Sequence, residues 1–426
     1  MVSTLGIIAQ NPVAKPESTV ISGNARFTVL TPEMIRIEYS DKAQFEDQAT
    51  FAIINREMDE VPDFSKSEDA EFVYINTDKL ALKYRKGTDP RIQEGVNNNL
   101  TITLNHNGNK EVWYPGKPDP LNLKGTCRTL DGSDGDNKRS ELENGIISRS
   151  GWAVIDDSWN NRRPDGSRSF ALTPNSEVGF DWWTERKDPD ALDIYFFGYG
   201  SDYKKAIGDF TKIAGKIPLP PDYVFGYWYS RYASYSDEDY RQIMSELNSN
   251  DIPTDVLILD MDWHWNGNAD SMSEGIGGWT GWSWNTNLLP EPKKLLQEIH
   301  DNGMRLSLNL HPADGINSHE SPDYYKLMKS DLNGKYDKDG TIEWSLDYPD
   351  FTKSFFNRVI RDHEKEGVDF WWLDWQQHLT SKLTPDLGET FWCNHVFFND
   401  MKKNRPERRP VIFHRWGGLG LSLIHI

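Results

Sequence analysis

Residues 367–377 read GVDFWWLDWQQ: a glycine, an apolar run, then the carboxylate Asp374 among tryptophans, followed by Gln376 and Gln377. A short apolar run bounded in this way reads as a buried parallel strand whose far end opens into a polar pocket. A carboxylate in apolar surroundings is unfavourable unless it is hydrogen-bonded or its charge is used. Two readings follow: an aspartate tied down by local hydrogen bonds, or an ionised group kept for chemistry. Four other apolar segments end in polar residues in the same manner. They carry Arg231; Asp260, Asp262 and His264; His311 and Asp314; and His414 with Arg415.

Asp260, Asp262 and His264 occupy alternate positions, so a strand running through all three turns them to one side. Asp-x-Asp-x-His together with His311 has donor types that a divalent metal accepts. The same residues are charge-assisted acceptors for a hydroxyl-rich ligand. Polar residues at strand ends of this kind more often serve the second purpose, so neither a metal nor another cofactor is expected. Nine tryptophans lie close to these ends in sequence: Trp263, Trp265, Trp279, Trp282, Trp284, Trp371, Trp372, Trp375 and Trp416. Any one of them is a core residue by default. As a set, in a chain with 17 Trp, they suit a pocket in which flat rings pack on the C–H faces of a sugar.

The elements that must position these residues alternate in period. Strand-like segments fall at 223–232, 256–265, 304–312, around Asp374 and at 410–416. Between them, Ser236 and Asp239 form a capping box ahead of Tyr240, Ile243, Met244 and Leu247, spaced as one helix face. A second helix over 291–302 is closed by Gly303. After a loop, a third is capped by Asp350, carries Phe355, Phe356, Val359 and Ile360 on one face, and ends at Gly367. A fourth lies near 391–404. This βα repeat implies an open doubly wound sheet or a (β/α)8 TIM barrel. No glycine-rich phosphate loop follows the first strand, which disfavours nucleotide binding.

Residues 20–216 have a different grammar. Short alternating segments (25–30, 34–39, 72–75, 80–84, 100–104, 146–148 and 194–199) are separated by Gly, Asn, Asp and Pro clusters, the pattern of an antiparallel β-sandwich. A helix with Tyr203, Ile207, Phe210 and Ile213 inward closes this part, and Pro218, Pro220 and Pro221 mark a linker. The expectation is a multidomain chain: a sandwich over 1–217, then a barrel segment over 218–420 with the first five strands only.

A net charge of −19 argues against nucleic acid or an anionic membrane surface as partner. No apolar stretch is long enough to span a bilayer, and no basic region precedes Leu5–Ala9, so neither a membrane span nor a signal peptide is expected. Cys127 and Cys393 lack metal-ligand spacing and fit a reducing, cytoplasmic setting. The last six residues, LSLIHI (421–426), read as a non-native tail.

In GYWYSRY, LDMDWHW, WWLDW and HRW the chain resembles glycoside hydrolase family 31, the retaining α-glucosidase, α-xylosidase and α-galactosaminidase group, over roughly residues 20–420. The resemblance implies that Asp374 is the nucleophile and that Asp260 binds sugar hydroxyls. It implies that Arg415, in HRW where relatives have S-R-S, contacts substrate beside the nucleophile, and that Trp372 lines the pocket of the reacting sugar. With these, Asp262, His264, His311, Gln376, His414 and Trp416 form the expected substrate-binding set. Two departures stand out. Trp375-Gln376-Gln377 replaces the N-E that commonly follows D-M in relatives acting on glucosides, which leaves an α-N-acetylgalactosaminidase-like branch open beside the α-glucosidase one. The family's acid/base Asp, in a W-x-G-D-like segment shortly beyond the fifth strand, is not reached. The expectation is therefore an exo-acting retaining glycoside hydrolase working by double displacement on terminal α-linked sugars, here C-terminally truncated and inactive on its own. The alternatives are a non-catalytic carbohydrate-binding protein on the same fold, and a metal-dependent sugar isomerase holding its ion through His264 and His311.

Overall fold

A computed structural model describes residues 11–94, 97–125, 143–162, 166–265, 279–374 and 380–414. In the N-terminal part, two five-stranded antiparallel sheets face each other. One runs Thr19–Ser22, Ala25–Thr31, Met34–Tyr39, Leu192–Phe197, Ala153–Asp156; the other runs Asn109–Trp113, Leu100–His106, Leu80–Arg85, Phe72–Asn76, Ser65–Glu68. Alternation decides which side is inward. Leu80, Leu82 and Tyr84 are buried while Ala81 and Lys83 are exposed, and they meet Phe27, Ile35 and Ile37 of the facing sheet in one core.

The first sheet is buried on its other face as well. Helix α1 (Tyr203–Ala214) lays Phe210 and Ile213 against Leu30, Met34 and Phe197 there. Ala206 takes the inward position expected of Ile207, which is 47% exposed. Beside this helix a buried ion network covers the sheet: Arg36 grips both oxygens of Asp193 at 2.8 Å, and Arg186 reaches Asp193 at 3.2 Å. Burial alone disfavours the Asp193 charge, yet the two guanidiniums hold its carboxyl well below the usual range.

A third, three-stranded sheet (Phe180–Thr184, Ala171–Asn175, Ala49–Thr50) belongs to a different core. Phe51 stacks on Phe391 with centroids 4.1 Å apart, and Trp182 meets Trp392 edge-on at 4.7 Å. Leu172 and Trp182 share one apolar cluster with the C-terminal strands and helices. Topology changes near residue 217, but the cores do not divide there.

Beyond the linker, five strands pair in parallel and in chain order: β1 (Trp228–Tyr229), β2 (Val256–Leu259), β3 (Arg305–Leu310), β4 (Phe370–Leu373) and β5 (Ile412–His414). A doubly wound sheet reverses its order at a switch point. Among the described residues the order runs without reversal, as in the wall of a barrel. Register stacks the inward residues in layers: Ile258, Ser307 and Phe370 in one, Asn309, Trp372 and Phe413 in the next. Trp228 fills the interior, with its ring 5.2 Å from Phe370 and 5.3 Å from Phe413. The opposite faces, Leu257, Leu259, Leu306 and Leu308, pack under the helices α2 (Asp237–Ser249) and α3 (Pro292–Asp301).

Local signals decided several boundaries. The Ser236–Asp239 capping box is formed, and Gly303 and Gly367 end their helices at positive φ. Other expectations need correction. The segment 146–148 contributes only a bridge at Ser148, and residues 222–225 form a 3₁₀ turn that leaves β1 two residues long. The stretch expected to be a loop after β3 holds helix α4 (Pro322–Asp331) and a small three-stranded sheet. Asp350 is not a cap. Pro349 begins α5 (Pro349–Phe355), and Asp350 in its first turn accepts from Lys335 and Tyr336 instead. The helix continues through a π turn (Phe356–Ile360) and Arg361–Glu366; α6 spans Glu389–Asn404. Among the described residues no helix is long and apolar enough to cross a membrane.

Candidate active site

Asp374 is the first residue past β4 and is 3% exposed. Its amide donates to the Leu310 carbonyl at 3.1 Å, which carries the parallel ladder one step beyond the strand and fixes where the carboxylate emerges. Phe370, Trp372 and Asp374 share the inner face by alternation. On the neighbouring strand Asn309 and His311 share it too. Asn309 Nδ2 donates to Asp374 Oδ2 at 2.9 Å, and His311 Nε2 lies 3.6 Å from the same oxygen. Asn309 was not singled out from the sequence. Its signal is in the alternation: Ser307, Asn309 and His311 interleave with Leu306, Leu308 and Leu310, so the polar residues share one face.

Asp260 follows β2 directly and is buried, with Oδ1 accepting from the Met261 amide at 2.8 Å. Alternation with Val256 and Ile258 turns it inward, toward the layer of Asn309 and Trp372. The expected alternation of Asp260, Asp262 and His264 along one strand does not hold. The strand ends at Leu259, and Asp262 adopts a left-handed conformation with φ of 67°. A single left-handed residue re-aims everything after it, so period-two logic stops at Asp260. The Asp262 carboxylate accepts from the Ser234 hydroxyl on the loop after β1.

His264 is turned into the wall. Its Nδ1 lies 2.9 Å from the Trp265 carbonyl, its ring meets Trp263 edge-on at 4.8 Å, and its backbone bridges to Trp284. Burial lowers its pKa to about 4, so the imidazole is neutral at physiological pH. Gly281 makes this packing possible: a Cβ there would sit 1.9 Å from the Trp265 carbonyl oxygen and 2.2 Å from His264 Nδ1.

At the rim, Tyr232 stacks on Trp279 with centroids 5.9 Å apart and planes at 27°, and Trp279 lies 5.3 Å from the His311 ring. Both are open to solvent, Tyr232 at 53% and Trp279 at 39%. Partial burial, and then the Asp262 and Asp260 charges, push the Tyr232 hydroxyl up. Buried carboxylates on the floor and exposed rings at the rim are suited to a polyhydroxylated ring with one apolar face. The family model described as Glycosyl hydrolases family 31 TIM-barrel domain matches residues 217–423.

Through that domain the chain belongs to glycoside hydrolase family 31. Among curated relatives, an alpha-xylosidase of Saccharolobus solfataricus is 26% identical over 253 residues, covering 58% of this chain and 29% of the relative. Alpha-glucosidase 2 of Bacillus thermoamyloliquefaciens is 26% identical over 260 residues, covering 60% and 28%. Among solved structures, a family 31 dextranase of Flavobacterium johnsoniae complexed with glucose has the same fold at a TM-score of 0.61 and 16% identity, over 94% of this chain and 53% of that one. A family 31 alpha-xylosidase from a soil metagenome complexed with xylose matches at 0.61 and 14%, over 95% and 65%. The chain thus spans less than a third of these curated relatives and between half and two thirds of these solved chains.

Within this family 31 domain the tryptophans divide by role. Trp263, Trp282 and Trp371 are buried core residues, with Trp263 donating to the Asn309 carbonyl at 2.8 Å and Trp282 to the Gly315 carbonyl at 2.8 Å. Trp284 donates to Glu366. Trp372 lies inside the barrel against Phe413, centroids 5.1 Å apart. Of these five and Trp279, only Trp279 is exposed to solvent. His414 pairs with Leu373, and alternation sets it on the face opposite Phe413 and Trp372. Arg231 is exposed, and so is Asp314 in the 3₁₀ turn after β3. Gln376, Arg415 and Trp416 lie outside the described residues, as do Trp375 and Cys127. Among the described residues no group of three or more His, Cys, Asp or Glu side chains is placed to hold a metal ion.

Proposed function

We propose that this chain carries the nucleophile of an exo-acting retaining glycoside hydrolase that cleaves terminal α-linked sugars, and that Asp374 is that nucleophile. The observation that carries the reading is the setting of Asp374: buried, at the C-terminal end of a parallel strand, with one oxygen fixed by Asn309 and neighboured by His311. Chemistry at a barrel's C-terminal face is the rule for this architecture. In the reaction, a carboxylate oxygen of Asp374 attacks the anomeric carbon as the glycosidic bond breaks, giving a covalent glycosyl-enzyme. Water then attacks the same carbon, and the sugar leaves with its configuration retained. The proton donor in this reading is an aspartate C-terminal to β5, as the family resemblance implies, within about 5–5.5 Å of the nucleophile.

Asp260 and Asp262 accept hydrogen bonds from sugar hydroxyls, His311 flanks the nucleophile, and Tyr232 and Trp279 form an aromatic wall. His264 contributes by shaping that wall rather than by contacting sugar. Arg415 supplies the positive charge that offsets burial of the Asp374 carboxylate. Gln376, Trp372 and Trp416 complete the proposed substrate-binding set, and His414, on the opposite face of β5 from Phe413 and Trp372, is left out of it. The substrate class is an α-xyloside or α-glucoside, supported by the names of the relatives, with an α-N-acetylgalactosaminide as the branch suggested by Trp375-Gln376-Gln377.

The test is covalent trapping with 5-fluoro-α-glycosyl fluorides of the gluco, xylo and galacto series. Fluoride departs without protonation, so the acid is not needed for labelling. The expected result is a stable adduct on the peptide containing Asp374, located by mass spectrometry. A protein that binds these sugars but takes no label on Asp374 is a carbohydrate-binding module, and the nucleophile assignment is then wrong.

A further inference from the structure

Beyond Asp374 in the chain, residues 380–388 are held from two sides. Thr380 and Gly388 pair in an isolated bridge, the Ser381 amide donates to the Leu387 carbonyl at 2.9 Å, and Leu387 is fully buried. On the barrel side, the hydroxyls of Ser381 and Thr384 both donate to Asp347 Oδ2, at 2.7 and 2.6 Å. On the other side stands Asp386, in the left-handed region with φ of 79°. There the partners come from the N-terminal part of the chain. The Arg168 amide donates to the Asp386 carbonyl at 2.9 Å, Arg168 Nε lies 3.2 Å from Oδ2, and Arg162 Nη1 lies 2.5 Å from Oδ1.

Arg168 is itself anchored. Its Nη1 donates to the Trp159 carbonyl at 2.9 Å, and its guanidinium lies 5.4 Å from the centre of the Trp159 ring. Trp159 meets Phe170 edge-on at 4.6 Å, at the start of the three-stranded sheet that shares the barrel's core. An exposed ion pair is worth little. This one combines two guanidiniums, a backbone hydrogen bond and a strained acceptor, and Arg168 is only 19% exposed. Leu387 and Asp347 already tie the loop to the barrel, so a second clamp from another domain adds definition more than cohesion.

We propose that Arg168, assisted by Arg162, is a positioning residue: through Asp386 the N-terminal part of the chain holds residues 380–388, the segment that follows the nucleophile's strand, in place for the site. The inference rests on the nucleophile reading above. It makes the N-terminal domain a working part of the site rather than an appendage.

Asp386→Asn is the clean variant, because asparagine tolerates the left-handed turn while the charge is lost. Arg168→Ala removes the partner, and Arg168→Lys restores the charge without the fork to Trp159. Asp386→Asn and Arg168→Ala are expected to lower kcat by about 10–100-fold on an activated aryl α-glycoside, the scale of a small misplacement at a reacting centre. KM should move by less than about threefold, melting should barely shift, and amide exchange at Ser381 and Leu387 should accelerate. Arg168→Lys should recover part of kcat. Faster exchange with unchanged kcat makes the clamp a mere staple and overturns the proposal; unchanged exchange shows that there is no clamp. Turnover by the parent and trapping on Asp374 decide the glycosidase reading separately. With a parent that turns nothing over, exchange at 380–388 and the affinity for D-glucose and D-xylose are read in the same variants, and no change in both overturns the inference.

Discussion

Asn309 donates to Asp374 Oδ2 at 2.9 Å from the adjacent parallel strand, so the rotation of the proposed nucleophile is set by a neighbour in the same sheet. Asn309→Ala removes this donor from the oxygen that His311 also flanks. Activity on an activated aryl α-glycoside is expected to fall about 10²-fold, carried by kcat, in line with the loss of one preorganised hydrogen bond. Steady-state kinetics with a melting curve check it: an unchanged kcat in a folded variant removes Asn309 from the site.

Asp374→Gly in the presence of azide separates nucleophile from acid. Azide entering the space left by the side chain attacks the face that the carboxylate used. An α-configured activated substrate then yields a β-glycosyl azide, with turnover restored from near zero. An α-glycosyl azide in the product mixture reassigns Asp374 to acid/base duty.

Gly281→Ala tests the wall behind His264. The added methyl overlaps the Trp265 carbonyl and His264 Nδ1, atoms that belong to packed backbone and a buried ring. Overpacking of this sort costs about 1–3 kcal/mol. A lowered urea midpoint at constant slope is the expected readout, and an unshifted midpoint means that the wall gives way easily.

Glu389 sets a pH dependence of stability. Burial, and then the charge of Asp347, raise its carboxyl to about 8, with Cys393 Sγ 3.6 Å away. A carboxyl raised in the folded state holds a proton there that the unfolded chain has released. Its contribution is therefore fully present below about pH 4.5 and is lost as pH rises toward about 8. Glu389→Gln keeps the neutral form throughout. Relative to the variant, the parent should lose about 2–4 kcal/mol between pH 5 and pH 8.5. Parallel denaturation curves at the two pH values, with no difference between the proteins, contradict the buried neutral acid.

What the amino-acid sequence determined by itself was whatever rests on neighbours in the chain. Ser236 and Asp239 close a capping box without help from elsewhere, and Gly303 and Gly367 end helices because only glycine enters those φ values at no cost. The apolar run before Asp374 marked a buried parallel strand, and the residue after it had to emerge at the C-terminal end of that strand. The tertiary structure decided what depends on distant partners. Asp262 leaves the strand because a left-handed residue there lets its carboxylate meet Ser234 and swings His264 back onto Gly281. Alternating polarity in the sequence carries no trace of that turn. Asn309 on its own is one polar residue in a strand, and only the pairing of β3 with β4 brings it to Asp374. Phe51 stacks on Phe391, and Arg168 meets Asp386, across most of the chain's length. Such contacts arise from how whole elements pack, and no local pattern encodes them.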